Sequence, residues 1–294
     1  MKNINKKQQG KILWGIFIFT IFVVIVDLFS EFFGLNLTRN STVDFLKISL
    51  PVLLLTLHSF YTLNILRGSI FILIALLSGF LFEIVGMKYG IVFGGHYVYQ
   101  VSDKLTFINT PLFSSRLMVF GVPLLVPLFW SVFIYLSYSI VSAILFWNGR
   151  GKPSKHGDNV SLLTLLIFLD GLIIVTIDIF MDPIQVKAGN WFWLKGGPFY
   201  DIPIGNFVGW FLVAMITTGI FRALEYFFPQ RDTEVDESVF LMPIIGYVTI
   251  FLILFSIALR AQLYKLSIIG FLSMLPVIVV NAISFINSKK NIIK

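Results

Sequence analysis

Long apolar runs separated by short polar breaks dominate the chain. Eight runs reach or approach the roughly 20 residues that a helix needs to cross a bilayer. They cover residues 12–33, 48–66, 70–87, 119–147, 161–181, 207–227, 239–259 and 266–286. The fourth is long enough to tilt, or to begin in the interface near Pro123 and Pro127. The pattern predicts an all-α fold, a polytopic transmembrane helical bundle of about eight spans. Residues 1–294 read as a single integral membrane domain, with no internal repeat.

Eight crossings place both termini on one side. With the N-terminus inside, the inner segments hold Lys2, Lys6, Lys7, Lys11, Arg67, Arg150, Lys152, Lys155, Arg222, Arg231, Lys289, Lys290 and Lys294. The outer segments hold Arg39, Lys47, Lys88, Lys104, Arg116, Lys187, Lys195, Arg260 and Lys265. That excess predicts a multi-pass protein of the cell membrane with both termini cytoplasmic. The basic start resembles the first region of a signal peptide. Its long apolar run, without a small-residue cleavage site, points instead to a retained first helix.

Two connections stand apart. Residues 88–117 carry Gly94, Gly95, His96, Tyr97, Tyr99 and Pro111, and residues 182–206 carry Pro183, Trp191, Trp193, Tyr200, Asp201 and Pro203. Both fall on the outer side and are too aromatic for disordered linkers. Long ordered connections in compact proteins usually carry function. Residues 149–159 read as a plain basic inner loop, and 232–237 as a solvated acidic one.

Composition narrows the chemistry. Charged residues make up 13% of the chain and hydrophobic residues 57%, where an ordinary soluble domain is about 25% charged. The formal charge of +7 is spread over loops and termini, so it reads as topological and not as a nucleic-acid surface. The absence of cysteine removes disulfides, thiolate nucleophiles and Cys-type metal sites. His58, His96 and His156 lie in three different segments, which argues against a histidine-rich di-iron centre. His58 reads as a mid-span residue bonded to another helix, and His156 as solvated.

Carboxylates inside spans are costly and mark function by default. Asp27 and Glu31 lie near the outer end of the first span, Glu83 near that of the third, and Asp178 and Asp182 at that of the fifth. Asp170 lies about two turns deeper. These spans run in the same direction, so their acids share one layer beneath the two aromatic connections. Asp27/Glu31 and Asp178/Asp182 are i,i+4 pairs on one helix face each. Carboxylates crowded in a low dielectric cannot all ionise, which leaves a carboxylic acid available as a proton donor. Taken singly, Asp27, Asp182 and Asp201 fit wetted span ends equally well.

Three chemistries fit this layer. Paired carboxylates could hold magnesium on a diphosphate for prenyl transfer, although Lys187 and Lys195 are the nearest basic residues. Intramembrane acids could relay protons in a transporter, although no repeated pair of broken helices appears. Acid-catalysed chemistry on an apolar polyene needs an acid, a water and aromatic faces for a carbocation. Tyr97, Tyr99, Trp191, Trp193, Phe199, Tyr200 and Trp210 are concentrated near the acids. An interfacial aromatic belt explains only part of that clustering.

Three blocks carry a family resemblance. The first is Glu83-Ile-Val-Gly-Met-Lys-Tyr-Gly followed by Phe93-Gly-Gly-His-Tyr-Val-Tyr99. The second is Gly121-Val-Pro-Leu-Leu-Val-Pro-Leu-Phe-Trp130. The third runs from Asp178-Ile-Phe-Met-Asp-Pro through Gly189-Asn-Trp-Phe-Trp to Gly197-Pro-Phe-Tyr-Asp-Ile-Pro-Ile-Gly-Asn-Phe-Val-Gly-Trp210. Together they resemble the membrane-bound carotenoid biosynthesis family, which includes carotenoid hydratases. The Gly94-Gly95-His96 step is one residue longer than the family spacing and leaves the roles of His96 and Tyr97 open. The resemblance implies hydration of the terminal double bond of an acyclic carotenoid or related isoprenoid, in contact with the lipid bilayer and without a redox cofactor. For that chemistry Glu83 and Asp178, inside otherwise apolar helices, are the expected acid–base pair, with Asp182 and Asp27 as alternates. Tyr97, Tyr99, Trp191, Trp193, Tyr200 and Trp210 become candidate substrate-binding residues, and Asn206 a residue that positions water or a loop.

Overall fold

The computed structural model describes residues 5–35, 41–102, 113–114, 117–149, 160–229 and 235–293. Several positions named above lie outside the described residues: Lys2, Arg39, Lys104, Pro111, Arg116, Arg150, Lys152, Lys155, His156, Arg231 and Lys294. So do the basic loop from 150 onward and residues 232–234 of the acidic stretch. The side chain of Glu31 lies outside them too.

Among the described residues, eight helices are long and apolar enough to cross a membrane. They are α1 Lys6–Phe32, α2 Ser41–Leu63, α3 Ile65–Tyr89, α4 Leu125–Trp147, α5 Val160–Lys187, α6 Ile204–Phe227, α7 Met242–Arg260 and α8 Tyr264–Ile293. The chain is thus a multi-pass, nearly all-α membrane bundle. Burial sorts the helices. In its most apolar stretch α4 is 61% buried within the bundle and α1 only 17%, so α4 is central and α1 peripheral. Leu73, Leu77 and Leu81 of α3 recur every fourth residue and are exposed, a stripe on one helix face that suits lipid. α4 packs on α3, α5 and α8, α6 lies against α5 and α3, and α1 packs on α2 and α7.

Local chemistry sets the boundaries. α2 and α3 are joined through Asn64 alone, at φ 72, whose side chain accepts from the Arg67 N–H and caps α3. Arg67 therefore sits in the first turn of α3 and not in a loop. α3 ends on Gly90 at φ 66, whose N–H returns to the Gly86 carbonyl, a left-handed cap that suits glycine.

Two predicted boundaries move. The fourth span does not begin at residue 119. Strands β4 Met118–Val119 and β5 Val122–Pro123 pair antiparallel there, around Phe120 and Gly121 at φ 52 and 83. Positive φ at both central residues makes a tight two-residue hairpin and excludes helix. In the other direction, α5 continues through Pro183 to Lys187. Proline removes one backbone donor, but its φ is helical, so the last turn persists. Asp182 consequently stays in helical register with Asp178 instead of entering a loop.

The two aromatic connections meet. Strand β1 Tyr97–Tyr99 pairs antiparallel with β6 Trp191–Trp193, in register Tyr97↔Trp193, Val98↔Phe192 and Tyr99↔Trp191. A parallel two-residue pair, β2 Val101–Ser102 with β3 Phe113–Ser114, follows. These short strands are the departure from an all-helical reading. The loop before β1 lies directly on α6: a Cβ at Gly205 would come 2.6 Å from Gly94 Cα, and one at Gly209 would come 2.4 Å from the Val92 carbonyl oxygen. Only glycine permits that approach.

Candidate active site

Strand geometry explains the aromatic wall. Side chains alternate across a strand, so Tyr97, Tyr99, Trp191 and Trp193 share one face of the ribbon, leaving Val98 and Phe192 on the other. All four line a cavity roofed by the ribbon and bounded by α3, α4, α5 and α6. Trp193 Nε1 donates to the Phe93 carbonyl at 3.0 Å, which satisfies the indole N–H. Below the ribbon, Trp210 stacks on Trp130 with ring planes 17° apart and on Phe93 at 4.7 Å between centroids.

Carboxyl groups enter this cavity from two sides. Glu83, near the end of α3, is buried. Its Oε2 accepts from the Tyr97 hydroxyl at 2.5 Å and the Tyr99 hydroxyl at 2.7 Å. Burial, and next the charge of Glu83, push both phenols well above their usual pKa range. They therefore remain O–H donors. On the opposite side, Asn206 Nδ2 donates to Asp182 Oδ2 at 2.6 Å and to Asp178 Oδ2 at 3.0 Å. Asp178 Oδ1 is buried and has no amide or hydroxyl partner. The carboxyl groups of Asp178 and Asp182 lie one turn apart on α5 and share the Asn206 amide as their donor.

The free volume of the cavity is about 30 Å³, enough for a single water molecule. Asp182 and Glu83 line it; Asp178 does not and stands behind Asp182. Tyr97, Tyr99, Trp191, Trp193, Asn206 and Trp210 are all brought to it, as the motifs suggested.

Two candidates are not. Tyr200 forms, with Asp201, the positive-φ turn between Phe199 and Ile202, and its ring packs on Phe199 away from the cavity lining. Asp27 pairs across α1 and α2 with Lys47 at 2.7 Å and does not line the cavity. The layer expected from depth alone thus divides: α1 carries its acid to α2, and only the acids of α3 and α5 converge. Among the described residues, no three His, Cys, Asp or Glu side chains group as metal ligands.

The family model described as carotenoid biosynthesis protein matches residues 44–277. The chain belongs to that family. No curated protein and no solved structure matches it. The family region contains every residue that lines the cavity and excludes Asp27. It also contains lining residues not singled out from the sequence: Phe93, Val126, Trp130 and Met181. All four sit inside the family-like blocks, which was their signal.

A second polar group lies deeper in the family core. Asp170 on α5 receives both Arg222 Nε at 2.6 Å and Arg222 Nη2 at 2.8 Å. The guanidinium lies 4.4 Å from the centre of the Tyr138 ring, and the Tyr138 hydroxyl donates to Glu225 Oε2 at 2.7 Å. Arg222 is 3% exposed and is not the inner-loop residue that charge counting made it. His58 bonds to the Tyr135 hydroxyl at 2.7 Å, joining α2 to α4 as its mid-span position implied. His96 Nδ1 meets the Met87 carbonyl at 3.0 Å and braces the turn after α3.

Proposed function

We propose that the protein is a carotenoid hydratase, a hydro-lyase that adds water across the terminal trisubstituted double bond of an acyclic carotenoid end group. One observation carries the reading. A water-sized cavity separates two carboxyl groups, Asp182 and Glu83, and its remaining walls are mostly aromatic. The family points to carotenoid metabolism, and a substrate of that class reaches the site from the bilayer.

The residues divide the work by their partners. Asp182, whose carboxyl shares the Asn206 amide with Asp178, delivers a proton to the less substituted alkene carbon. The tertiary cation forms against the faces of Trp191, Trp193, Tyr97 and Trp210, where ring quadrupoles favour positive charge. Glu83 takes the proton of the incoming water. Its Oε2 is already held by two phenols, and its carboxyl lines the cavity where the nucleophile arrives. Asn206 fixes the carboxyl pair. Afterwards the proton on Glu83 returns to the aspartates across the same cavity. Every step uses only carboxyl groups, water and ring faces. In this reading the eight helices form one domain of the cell membrane, with cytoplasmic termini and the site near the outer face.

The test is expression in a bacterium that accumulates acyclic carotenoids. A pigment heavier by one water, labelled from heavy-oxygen water, supports hydration. Label from oxygen gas would make the protein a hydroxylase, and unchanged pigments with the protein present in the membrane would reject the proposal.

A further inference from the structure

We infer that Met181 is the gate of this cavity, the side chain that turns aside to admit the end group of the substrate. The inference rests on the hydration reading, which brings a branched hydrocarbon end to the carboxyl groups. The free volume is about 30 Å³, whereas an apolar cavity that takes a six-carbon ring is about 150 Å³. To bring its alkene carbons between Asp182 and Glu83, an isoprenoid end needs more room than the walls now leave. One of them has to move.

Most of the walls are held. The hydroxyls of Tyr97 and Tyr99 are bound to Glu83, and Trp191 rests edge-on against Tyr99. Trp193 is tied through its indole to the Phe93 carbonyl. Trp210 lies between Trp130 and Phe93, and the Phe93 ring fills the hollow beside Gly86, where a Cβ would come within 2.4 Å of it. Asn206 is fixed by two aspartates. Val126 is buried on α4, and a β-branched side chain in a helix has one strongly preferred rotamer.

Met181 differs from all of these. Among the described residues, no hydrogen bond or ring stack restrains it. It precedes Asp182 on α5 and is only partly buried. It packs at the edge of both large hydrophobic clusters of the bundle and inside neither. Its unbranched chain has three rotatable bonds and adapts to the space offered. Rotation of that chain widens the cavity beside the carboxyl that delivers the proton, and rotation back closes it around the bound end.

The experiment uses the full chain in lipid membranes, supplied with an achiral acyclic carotenoid. Hydrated pigment reports turnover. Circular dichroism induced in the visible band of the polyene reports its capture by the asymmetric site, with no need for turnover. Met181→Ile keeps the volume but stiffens the side chain at its branched Cβ, and Met181→Ala removes the gate. The isoleucine variant should slow both capture and kcat/KM about tenfold, equivalent to about 1.4 kcal/mol, with kcat near wild type. The alanine variant should capture pigment at least as fast as wild type. A side chain that only fills space gives the opposite order, because a swap of similar volume is tolerated and a new cavity is not. That opposite order, or equal capture by all three proteins, overturns the inference while hydration stands. If the wild type captures pigment but never hydrates it, the hydration reading fails and the order of capture rates still decides the gate. With neither capture nor hydration in the wild type, both fall.

Discussion

Two buried polar clusters sit in the same helices and solve the same electrostatic problem differently. In the deeper one, Asp170 faces a guanidinium that supplies two hydrogen bonds and a full opposite charge. In the shallower one, Glu83, Asp178 and Asp182 meet, among the described residues, neutral donors: the phenols of Tyr97 and Tyr99 and the amide of Asn206. A carboxylate with its own cation has little reason to trade a proton. Carboxyl groups stabilised by neutral donors are poised to do so. α5 and α6 contribute to both clusters, so under the proposed function a single helix pair carries a structural end and a chemical end.

The largest effects should separate these ends. Glu83→Gln and Asp182→Asn each keep the shape of the side chain and remove its proton chemistry. Turnover should fall about a hundred- to ten-thousand-fold, while extraction and thermal unfolding in detergent stay like wild type. A normal rate in either variant would remove that residue from the mechanism. Arg222→Met should do the reverse. It strands Asp170 without its charge partner, at about 3–5 kcal/mol of stability, and pigment conversion per folded molecule should hold. Adding Asp170→Leu should recover much of the loss, and failure to recover would mean that the pair does more than offset charge.

Smaller effects sharpen the picture within the site. Asn206→Ala takes a donor from two carboxyl groups at once; a loss near 1–3 kcal/mol would appear as a rate about ten- to a hundredfold lower. Tyr97→Phe and Tyr99→Phe each leave one phenol on Glu83, so each should slow turnover about tenfold and the double variant considerably more. Equal rates for single and double variants would show that Oε2 does not need both. Asp27→Asn should matter least, shifting conversion by less than about threefold, since it weakens one ion pair of a peripheral helix. A collapse of activity there would return α1 to the site.

Depth was legible in the sequence; azimuth was not. Hydropathy locates a residue along the membrane normal, and it placed Glu83, Asp178 and Asp182 at one level correctly. It cannot say which neighbour a helix face meets, and Asp27, at the same level, turned out to face Lys47. Arg222 shows the complementary error. An arginine near a span end counts as a loop charge unless its partner is known, and Asp170 lies 52 positions away. The ribbon was half visible: Tyr-Val-Tyr and Trp-Phe-Trp both alternate, but nothing local says that two such triplets pair with each other.

That pairing also dictates an order of assembly. Trp193 and its acceptor Phe93 are 100 positions apart, with all of α4 and α5 between them. During synthesis the first half of the roof must wait for two further helices before its partner strand exists, and the last wall, α6, comes later still. Local helices form early and contacts between distant segments form late. A nascent chain halted after α5 should therefore be inserted but have no chamber, with Tyr97 and Tyr99 open to protease or chemical labelling until the ribbon closes over them.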